Sequence, residues 1–282
     1  MWDWLTSSLA QRIINIYSSL TVSMKSVLET AKKTPKDFNP TLWNAVQKFN
    51  TTVVLPVGWS VLSAFLLLEL LNVIKRTDAK GMEAIYFIMI VMIKIGIAKM
   101  IMENMTDIIL MFFSVANHLL KNSESIFAGA GSSLVMKDSV KAALSDSVSK
   151  MDVLSCLGLW ITMEIVGFCG KICSLLAQII VGLRFIEIYV FTAVAAIPMA
   201  TLVNEKYGDI GVNYLKRMAA LALHVIFIVI VLYIYTVLVG AESMFTTSGV
   251  ENTPFTALGY TILAVIALFQ TGNWSKSLLG VH

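Results

Sequence analysis

Charged residues are scarce in this sequence. Asp, Glu, Lys and Arg together make up 14% of the 282 residues, whereas soluble globular domains carry about 25%. So few charges cannot cover the surface of an ordinary water-exposed domain, and that class is excluded. The net charge of +3 is scattered along the chain, which excludes the extended basic footprint of a nucleic-acid-binding protein.

Groups that serve catalysis or bind metals are also few. The spacing of Cys169 and Cys173 lacks the second ligand pair of a zinc or redox site. His118 stands alone between apolar residues. The small-residue segment 128–133 lacks the following Lys and Ser or Thr of a phosphate-binding loop. We therefore predict that the chain is no enzyme and takes no cofactor.

Long apolar runs dominate what is present. Hydrophobic residues make up 57% of the chain, the mean hydropathy is +0.78, and several runs approach the ~20 residues that a helix needs to cross a bilayer. The sequence predicts an all-α integral membrane protein with five or six transmembrane helices and an amphipathic N-terminal helix. The predicted spans are residues 53–74, 82–102, 153–182, 184–203, 218–240 and, as a short last span or a re-entrant piece, 255–269.

The chain divides into four predicted regions. The first holds the N-terminal helix, in which apolar residues recur at spacings of three and four, so that it either lies on the membrane surface or packs on a partner helix. It lacks a charged leader, and we expect no removable signal peptide. The regions are residues 1–36 with this helix, 37–120 with two spans and a helical extension, 121–152 as a polar loop, and 153–282 as a C-terminal transmembrane bundle.

Ionisable residues inside the apolar runs are the candidate functional side chains. A charge at the bilayer centre costs about 2.5–3.5 kcal/mol on insertion scales, so such residues face a bundle interior, a partner or water unless they snorkel. Lys99 and Glu103 have the spacing of an ion pair on one helical face, and Glu164 and Lys171 share a face either as a pair or with partners on other helices. The candidate pore or inter-helix residues are Glu69, Lys94, Lys99, Glu164, Lys171, Arg184 and Glu187.

A second group of candidates concerns a bend and a loop. Pro198 lies inside an apolar run, where it frees the carbonyl of Val194 and bends or ends the helix. Residues 204–217 predict a polar loop. The candidate hinge or loop residues are Pro198, Gly211, Asn213, Tyr214 and Lys216.

Three stretches carry a resemblance to a known family: RFIEIYVFTAVAAIPMATLVNE from Arg184, GVNYLKRMAAL from Gly211, and the terminal QTGNWSKSLLGVH. With them the chain resembles the TrbL-type polytopic inner-membrane subunit of type IV secretion and conjugative transfer systems, in the form carried by Gram-positive conjugative elements. The family commonly shows Ala-Pro-Ile-Pro where this chain has Ala195, Ala196, Ile197 and Pro198. Only the second of the two proline breaks is retained.

The resemblance implies a function. It indicates a channel or scaffold subunit in the inner membrane that supports translocation of single-stranded DNA with its relaxase during conjugation. The implied partners are other type IV secretion membrane subunits and ATPases, further copies of the chain in a homo-oligomer, single-stranded DNA in transient contact, and the lipid bilayer. From the residues alone, a secondary transporter or small-molecule channel stays open, although no paired, similarly interrupted spans in two halves of the chain indicate inverted repeats.

Overall fold

The computed structural model describes residues 2–76, 82–131, 142, 145–146, 148–149, 152–240 and 249–281. Within these ranges the chain is helical apart from short turns, and no strand is present. The prediction of an all-α membrane protein is confirmed. The described helices are α1 (Trp2–Ala31), α2 (Pro35–Phe38), α3 (Pro40–Phe49), α4 (Leu55–Arg76), α5 (Met82–Glu103), α6 (Met105–Gly131), α7 (Val153–Ala193), α8 (Ala196–Ala200), α9 (Gly208–Gly240) and α10 (Gly249–Leu278).

Local sequence signals explain where α2 and α3 begin. The hydroxyl of Thr34 accepts a hydrogen bond from the backbone N–H of Asp37 at 3.1 Å, which caps α2. The side-chain oxygen of Asn39 accepts from the backbone N–H of Leu42 at 3.0 Å, and Pro40 fills the first position of α3. A proline is tolerated there because its missing N–H would have no partner inside the helix.

A π-helical turn, Asn50–Val54, joins α3 to α4. Pro56 follows this turn as the second residue of α4. Proline donates no backbone hydrogen bond and crowds the preceding turn, and a wider turn with a bond from residue i+5 to residue i relieves that crowding. The backbone N–H of Leu55 donates to the carbonyl of Asn50 in that way.

Among the residues that the structure describes, five helical segments are long and apolar enough to cross a membrane: Pro40–Asn72, Ile85–Glu103, Val153–Ala193, Gly208–Tyr235 and Phe255–Leu278. The prediction of separate third and fourth spans is wrong, because α7 runs without interruption for 41 residues. The helix continues through Arg184 and Glu187, which lie at the start of the predicted fourth span. Both side chains have partners on α9. The predicted C-terminal boundary of the last span, residue 269, is also wrong, because α10 continues to Leu278.

The chain forms two compact units. The first unit comprises Met1–Lys32, Asn117–Leu183 and Val225–Gly272, and the second comprises Lys33–Ala116, Arg184–His224 and Asn273–His282. In the first unit, α1 buries Leu9, Ile13 and Ile16. The side chain of Ile16 lies 3.4 Å from where a Cβ on Gly167 of α7 would stand. The sequence leaves two alternatives for the N-terminal helix, which are the membrane surface and a partner helix. In the structure α1 packs on a partner helix, and that helix belongs to the same chain.

In the second unit the short helix α8 packs against α4 and α5. Gly58 permits the contact, because a Cβ there would lie 3.0 Å from the Cβ of Ala196 and 2.8 Å from the end of Met102. The stretch before α3 lies along α7, where the Phe38 ring stacks on that of Phe185 at 4.0 Å between centroids. The second unit contains most of the candidate polar residues. α6 reaches Gly131, inside the predicted polar loop, whereas residues 132–141 of that loop lie outside the described residues.

Candidate functional site

A break in the helical path lies between α7 and α8, at Val194 and Ala195. Pro198 lacks the N–H that would bond to the carbonyl of Val194, but this carbonyl is not left bare. It accepts from the backbone N–H of Ile197 at 3.3 Å. The predicted bend is therefore present, and a tighter turn takes up the freed carbonyl.

Side chains from two other elements bind the carbonyls at the end of α7. The side-chain amide of Asn50 donates to the carbonyls of Thr192 and Ala193, at 3.0 Å each. The hydroxyl of Tyr214 donates to the carbonyl of Phe191 at 2.7 Å. The last carbonyls of a helix have no partner within it, and in an apolar environment each bare one costs several kcal/mol. Asn50 and Tyr214 thus give these carbonyls partners from other elements.

The break continues into a tightly packed corner. The hydroxyl of Thr201 donates to the carbonyl of Pro198 at 2.8 Å and accepts from the backbone N–H of Gly211 at 3.1 Å. A Cβ on Gly211 would lie 2.7 Å from the Leu202 side chain and 2.8 Å from the Pro198 carbonyl oxygen. Gly211 is therefore required by a close approach between the start of α9 and the break.

The prediction that residues 204–217 form a loop is wrong over most of its length, because α9 begins at Gly208. Asn204 explains the early start. Its side-chain oxygen accepts from the backbone N–H groups of Lys206 and Tyr207, at 3.0 and 3.2 Å, and its own carbonyl accepts from Gly208 at 2.8 Å. Of the candidate loop residues, Gly211 and Tyr214 point into the second unit, whereas Asn213 and Lys216 are exposed on α9.

A buried carboxylate joins the turn before α9 to the hairpin of α4 and α5. Glu69 is 4% exposed, and its oxygens accept from Lys94 Nζ at 3.3 Å, from the Asn204 side-chain amide at 3.3 Å and from the backbone N–H of Glu205 at 3.2 Å. A buried charge is stable only when paired and hydrogen-bonded. The sequence predicted Glu69 and Lys94 as inward-facing residues, and the structure brings them together.

Arg184 is buried without lying beside Glu187. It is 2% exposed, its Nε donates to the carbonyl of Leu221 at 3.0 Å, and its guanidinium carbon lies 5.4 Å from the ring centroids of both Phe113 and Phe185. Stacking on aromatic faces and hydrogen bonding suit the weakly hydrated guanidinium. Arg184 ties α6, α7 and α9 together in the second unit.

Glu187 instead meets two basic residues from other helices. Its Oε1 lies 3.0 Å from Arg217 Nη2 on α9 and 3.5 Å from Lys276 Nζ on α10. The Arg217 guanidinium lies over the Phe191 ring at 4.2 Å. We call Glu187, Arg217 and Lys276 the basic cluster, since its formal charges sum to +1. Sequence reasoning missed Arg217 and Lys276. Each lies in or beside a polar stretch at the edge of an apolar run, where basic residues are common without any further role.

The remaining candidates lie at helix surfaces. Lys99 is 4.0 Å from Glu103, as the spacing of four predicted, and its Nζ lies 5.5 Å from the Trp59 ring centroid. In the first unit Glu164 binds Arg12 of α1, at 2.6 and 3.0 Å, and this hydrogen bond raises the pKa of the Arg12 guanidinium. Lys171 is exposed on α7. The alternative in which Glu164 has a partner on another helix is therefore the one observed.

Asn50 and Thr201 are the residues that sequence reasoning missed at the break. Asn50 is a polar residue inside a run that leads into an apolar span, which is a weak signal for a buried hydrogen bond. Within the part of the chain that the structure describes, no three His, Cys, Asp or Glu side chains are grouped to hold a metal ion. The site offers hydrogen bonds and charge.

Comparison with known families gives one match that covers most of the chain. The sequence model of a family described as TrbL/VirB6 plasmid conjugal transfer like protein matches residues 20–196. This range includes the stretch from Arg184 to the break and ends before the other two stretches that suggested the resemblance. No curated protein and no solved structure matches the chain.

Proposed function

Since the chain belongs to the TrbL/VirB6 family of plasmid conjugal transfer proteins, we propose that it is a channel or scaffold subunit of a type IV secretion system. Membership makes it a component of a conjugal transfer system, and the five long apolar helices in the described part of the chain make it a multi-pass membrane protein. In the proposed role it lies in the inner membrane and supports the passage of single-stranded DNA with its relaxase.

The observation that carries this proposal is the broken helix of the second unit. The end of a helix in an apolar surrounding needs partners for its last carbonyls, because a bare carbonyl is costly there. Here Asn50 and Tyr214 bind the last carbonyls of α7, and Glu69 bonds to the turn that follows. A membrane protein that merely anchors others has no need of such an arrangement, whereas a subunit that shapes a passage or changes conformation does.

We infer the proposed partners from the size of the chain, because one chain of this size cannot carry DNA across a membrane alone. Passage of a DNA strand needs a pore wider than a bundle of five helices encloses, so we propose a homo-oligomer within a larger assembly of secretion subunits. Energy would come from separate ATPase subunits. DNA contact is transient in this proposal, because a strand that must move on cannot be bound tightly.

The ion pair between Glu69 and Lys94 favours a second candidate function. Ionisable residues within membrane spans mark substrate and ion pathways, and a secondary transporter or small-molecule channel would have Glu69 and Lys94 along such a path. The two functions differ in a simple measurement. The purified chain in proteoliposomes accumulates a solute under a proton gradient if it is a transporter, and accumulates none if it is a secretion subunit.

A conjugation assay tests the main proposal. A donor strain that lacks this chain should transfer its element at a strongly reduced frequency, and the wild-type chain should restore transfer. Formaldehyde crosslinking during mating, followed by purification of the chain, should recover the transferring strand. A donor without active relaxase serves as the control, since it produces no single strand.

The outcomes separate the two forms of the proposal. Recovered strand DNA supports a channel subunit. Restored transfer without recovered DNA supports a scaffold instead. Transfer at the wild-type frequency in the deletion strain would contradict both. A matched pair of double variants links the assay to the break: Asn50→Ala with Tyr214→Phe should lower transfer, whereas exposed Asn44→Ala with Tyr207→Phe should not.

A further inference from the structure

The basic cluster carries more positive charge than its own carboxylate neutralises. One oxygen of Glu187 faces both Arg217 Nη2 and Lys276 Nζ, at 3.0 and 3.5 Å, so two cations share one anion. The side chains of Glu187, Arg217 and Lys276 are 30%, 38% and 32% exposed. A small anionic group can therefore approach the cluster from its open side.

Arg217 has an unused donor at this position. Its Nε is buried and has no hydrogen-bond partner within the described part of the chain, while its Nη2 binds Glu187 and its ring-facing side lies on Phe191. A buried donor without an acceptor costs about 1–3 kcal/mol. Phosphate oxygens are acceptors that bind a guanidinium through two adjacent donors, and a small turn of the Arg217 side chain would present Nε to such an oxygen.

Exposed apolar side chains stand near the cluster residues along α7 and α10, and they favour one class of ligand. On α7, Ile186 and Val190 are 58% and 57% exposed, and Trp274 on α10 is 44% exposed. A soluble anion gains nothing from these side chains, whereas a phospholipid places its acyl chains on them and its headgroup on the cations. Tryptophan is enriched where a membrane meets water.

The sequence also places the cluster at headgroup depth. Arg217 directly precedes the apolar run 218–240 of α9, and Lys276 follows the apolar run 255–269 of α10 after a short polar stretch. Basic pockets between transmembrane helices, at the level of the headgroups, bind anionic lipids. Both cations therefore lie at the polar end of their helices.

We propose that the basic cluster of Glu187, Arg217 and Lys276 binds the phosphodiester headgroup of an anionic phospholipid. Glu187 sets the strength of this site. Its carboxylate holds the two cations in place and competes with the phosphate for them, so that the lipid is held but can exchange. The proposal is independent of whether the chain acts as channel or scaffold.

Native mass spectrometry of the full chain in neutral detergent tests this proposal. The probes are phosphatidylglycerol, cardiolipin and phosphatidylcholine. The anionic lipids should bind more tightly than phosphatidylcholine. Arg217→Gln with Lys276→Gln should weaken anionic binding roughly thirtyfold, taking about fivefold for each basic residue near an anionic surface. The matched control is Lys36→Gln with Lys48→Gln, which removes the same charge from exposed positions of the same unit and should leave binding unchanged.

Glu187→Gln distinguishes a lipid site from a merely structural ion pair. If the carboxylate competes with phosphate, this variant should bind phosphatidylglycerol about fivefold more tightly. A structural pair predicts lower stability with no gain in lipid binding, and that result would overturn the proposal. Equal binding of anionic lipids and phosphatidylcholine would do so too. Displacement of the lipid by glycerol phosphate, inorganic phosphate or a short single-stranded oligonucleotide at comparable concentration would refute the assignment to lipid.

Discussion

Asn50 donates its side-chain amide to the carbonyl oxygen of Thr192, at 3.0 Å, across 142 positions of sequence. The donor stands in the π-helical turn between α3 and α4, and the acceptor stands in the last turn of α7. This hydrogen bond joins two local irregularities of the backbone, the π-helical turn and the end of α7. A wide turn directs an amide toward carbonyls at the end of α7, of which that of Thr192 also accepts from the backbone N–H of Ala195 at 3.4 Å.

Replacement of Asn50 by Ala should destabilise the protein. The change leaves the buried carbonyls of Thr192 and Ala193 without their side-chain donor, at a cost of about 1–3 kcal/mol. The unfolding midpoint in detergent, followed by circular dichroism, measures the effect. Asn44→Ala, an exposed asparagine of α3, is the control. Equal midpoints for the two variants would show that the amide does not stabilise the break.

Glu69 and Lys94 should show strong energetic coupling. Glu69→Ala and Lys94→Ala should each cost about 1–3 kcal/mol, a value kept below that of a fully buried pair because Lys94 is partly exposed. The double variant should cost less than the sum by about 0.5–3 kcal/mol. The same cycle on the exposed pair Lys99 and Glu103 should give a coupling of at most about 0.5 kcal/mol. Strict additivity at Glu69 and Lys94 would contradict the contact.

Gly211→Ala should destabilise the corner between the break and α9. A methyl group would meet the Pro198 carbonyl oxygen at 2.8 Å, and a backbone atom cannot move aside as the end of a side chain can. Overpacking of this kind costs about 1–3 kcal/mol. Gly96→Ala is the matched change, because no atom lies within 4 Å of its added Cβ, and it should stabilise α5 by about 0.5–1 kcal/mol. A stabilising Gly211→Ala would refute the close approach.

The ion pair between Arg12 and Glu164 should fix α1 on α7. Arg12→Glu places two carboxylates together and should make α1 more accessible to limited proteolysis, and Arg12→Glu with Glu164→Arg should restore protection. The expected effect on stability is small, because both side chains are more than one third exposed. Lys171→Glu, on the same helix, is the control. Failure of the reversed pair to restore protection would mean that the two residues do not pair.

Arg184→Ala and Glu187→Ala should each abolish DNA transfer while the protein still inserts into the membrane. The first removes a cation that joins three helices through Leu221, Phe113 and Phe185, and the second leaves the cluster cations without their carboxylate. Mating frequency and the amount of chain in the membrane fraction are measured together. Lys48→Ala, an exposed lysine, controls for loss of charge. Unchanged transfer in both variants would remove these residues from the functional site.

The sequence reveals properties that depend on composition and on local signals. Apolar length predicts the membrane helices, the Asn39 and Pro40 pair predicts the start of α3, and a spacing of four predicts the contact of Lys99 with Glu103. These features depend on neighbours along one helix. Residue type and periodicity are enough to find them.

The rest of the site depends on contacts between distant parts of the chain. Gly208 and Gly211 look like turn residues, but Gly211 is needed for a close approach that only the folded chain contains. Arg184 and Glu187 stand at the predicted start of a separate span, yet α7 continues through them and both have partners on α9. Nothing in the local sequence of Asn50 indicates that its amide reaches a carbonyl of α7. The same is true of Lys276 and its contact with the carboxylate of Glu187 on α7.

The π-helical turn Asn50–Val54 also sets the angular phase of everything that follows it in α4. Successive residues of an α-helix are rotated by about 100° around the axis, and a π-helical turn accommodates one residue more than a regular turn. If these residues instead formed a regular α-helical turn, with none of them lost, Gly58 and Glu69 would rotate together by about 100° toward a different side. The width of this turn therefore decides which face of α4 lies toward α8.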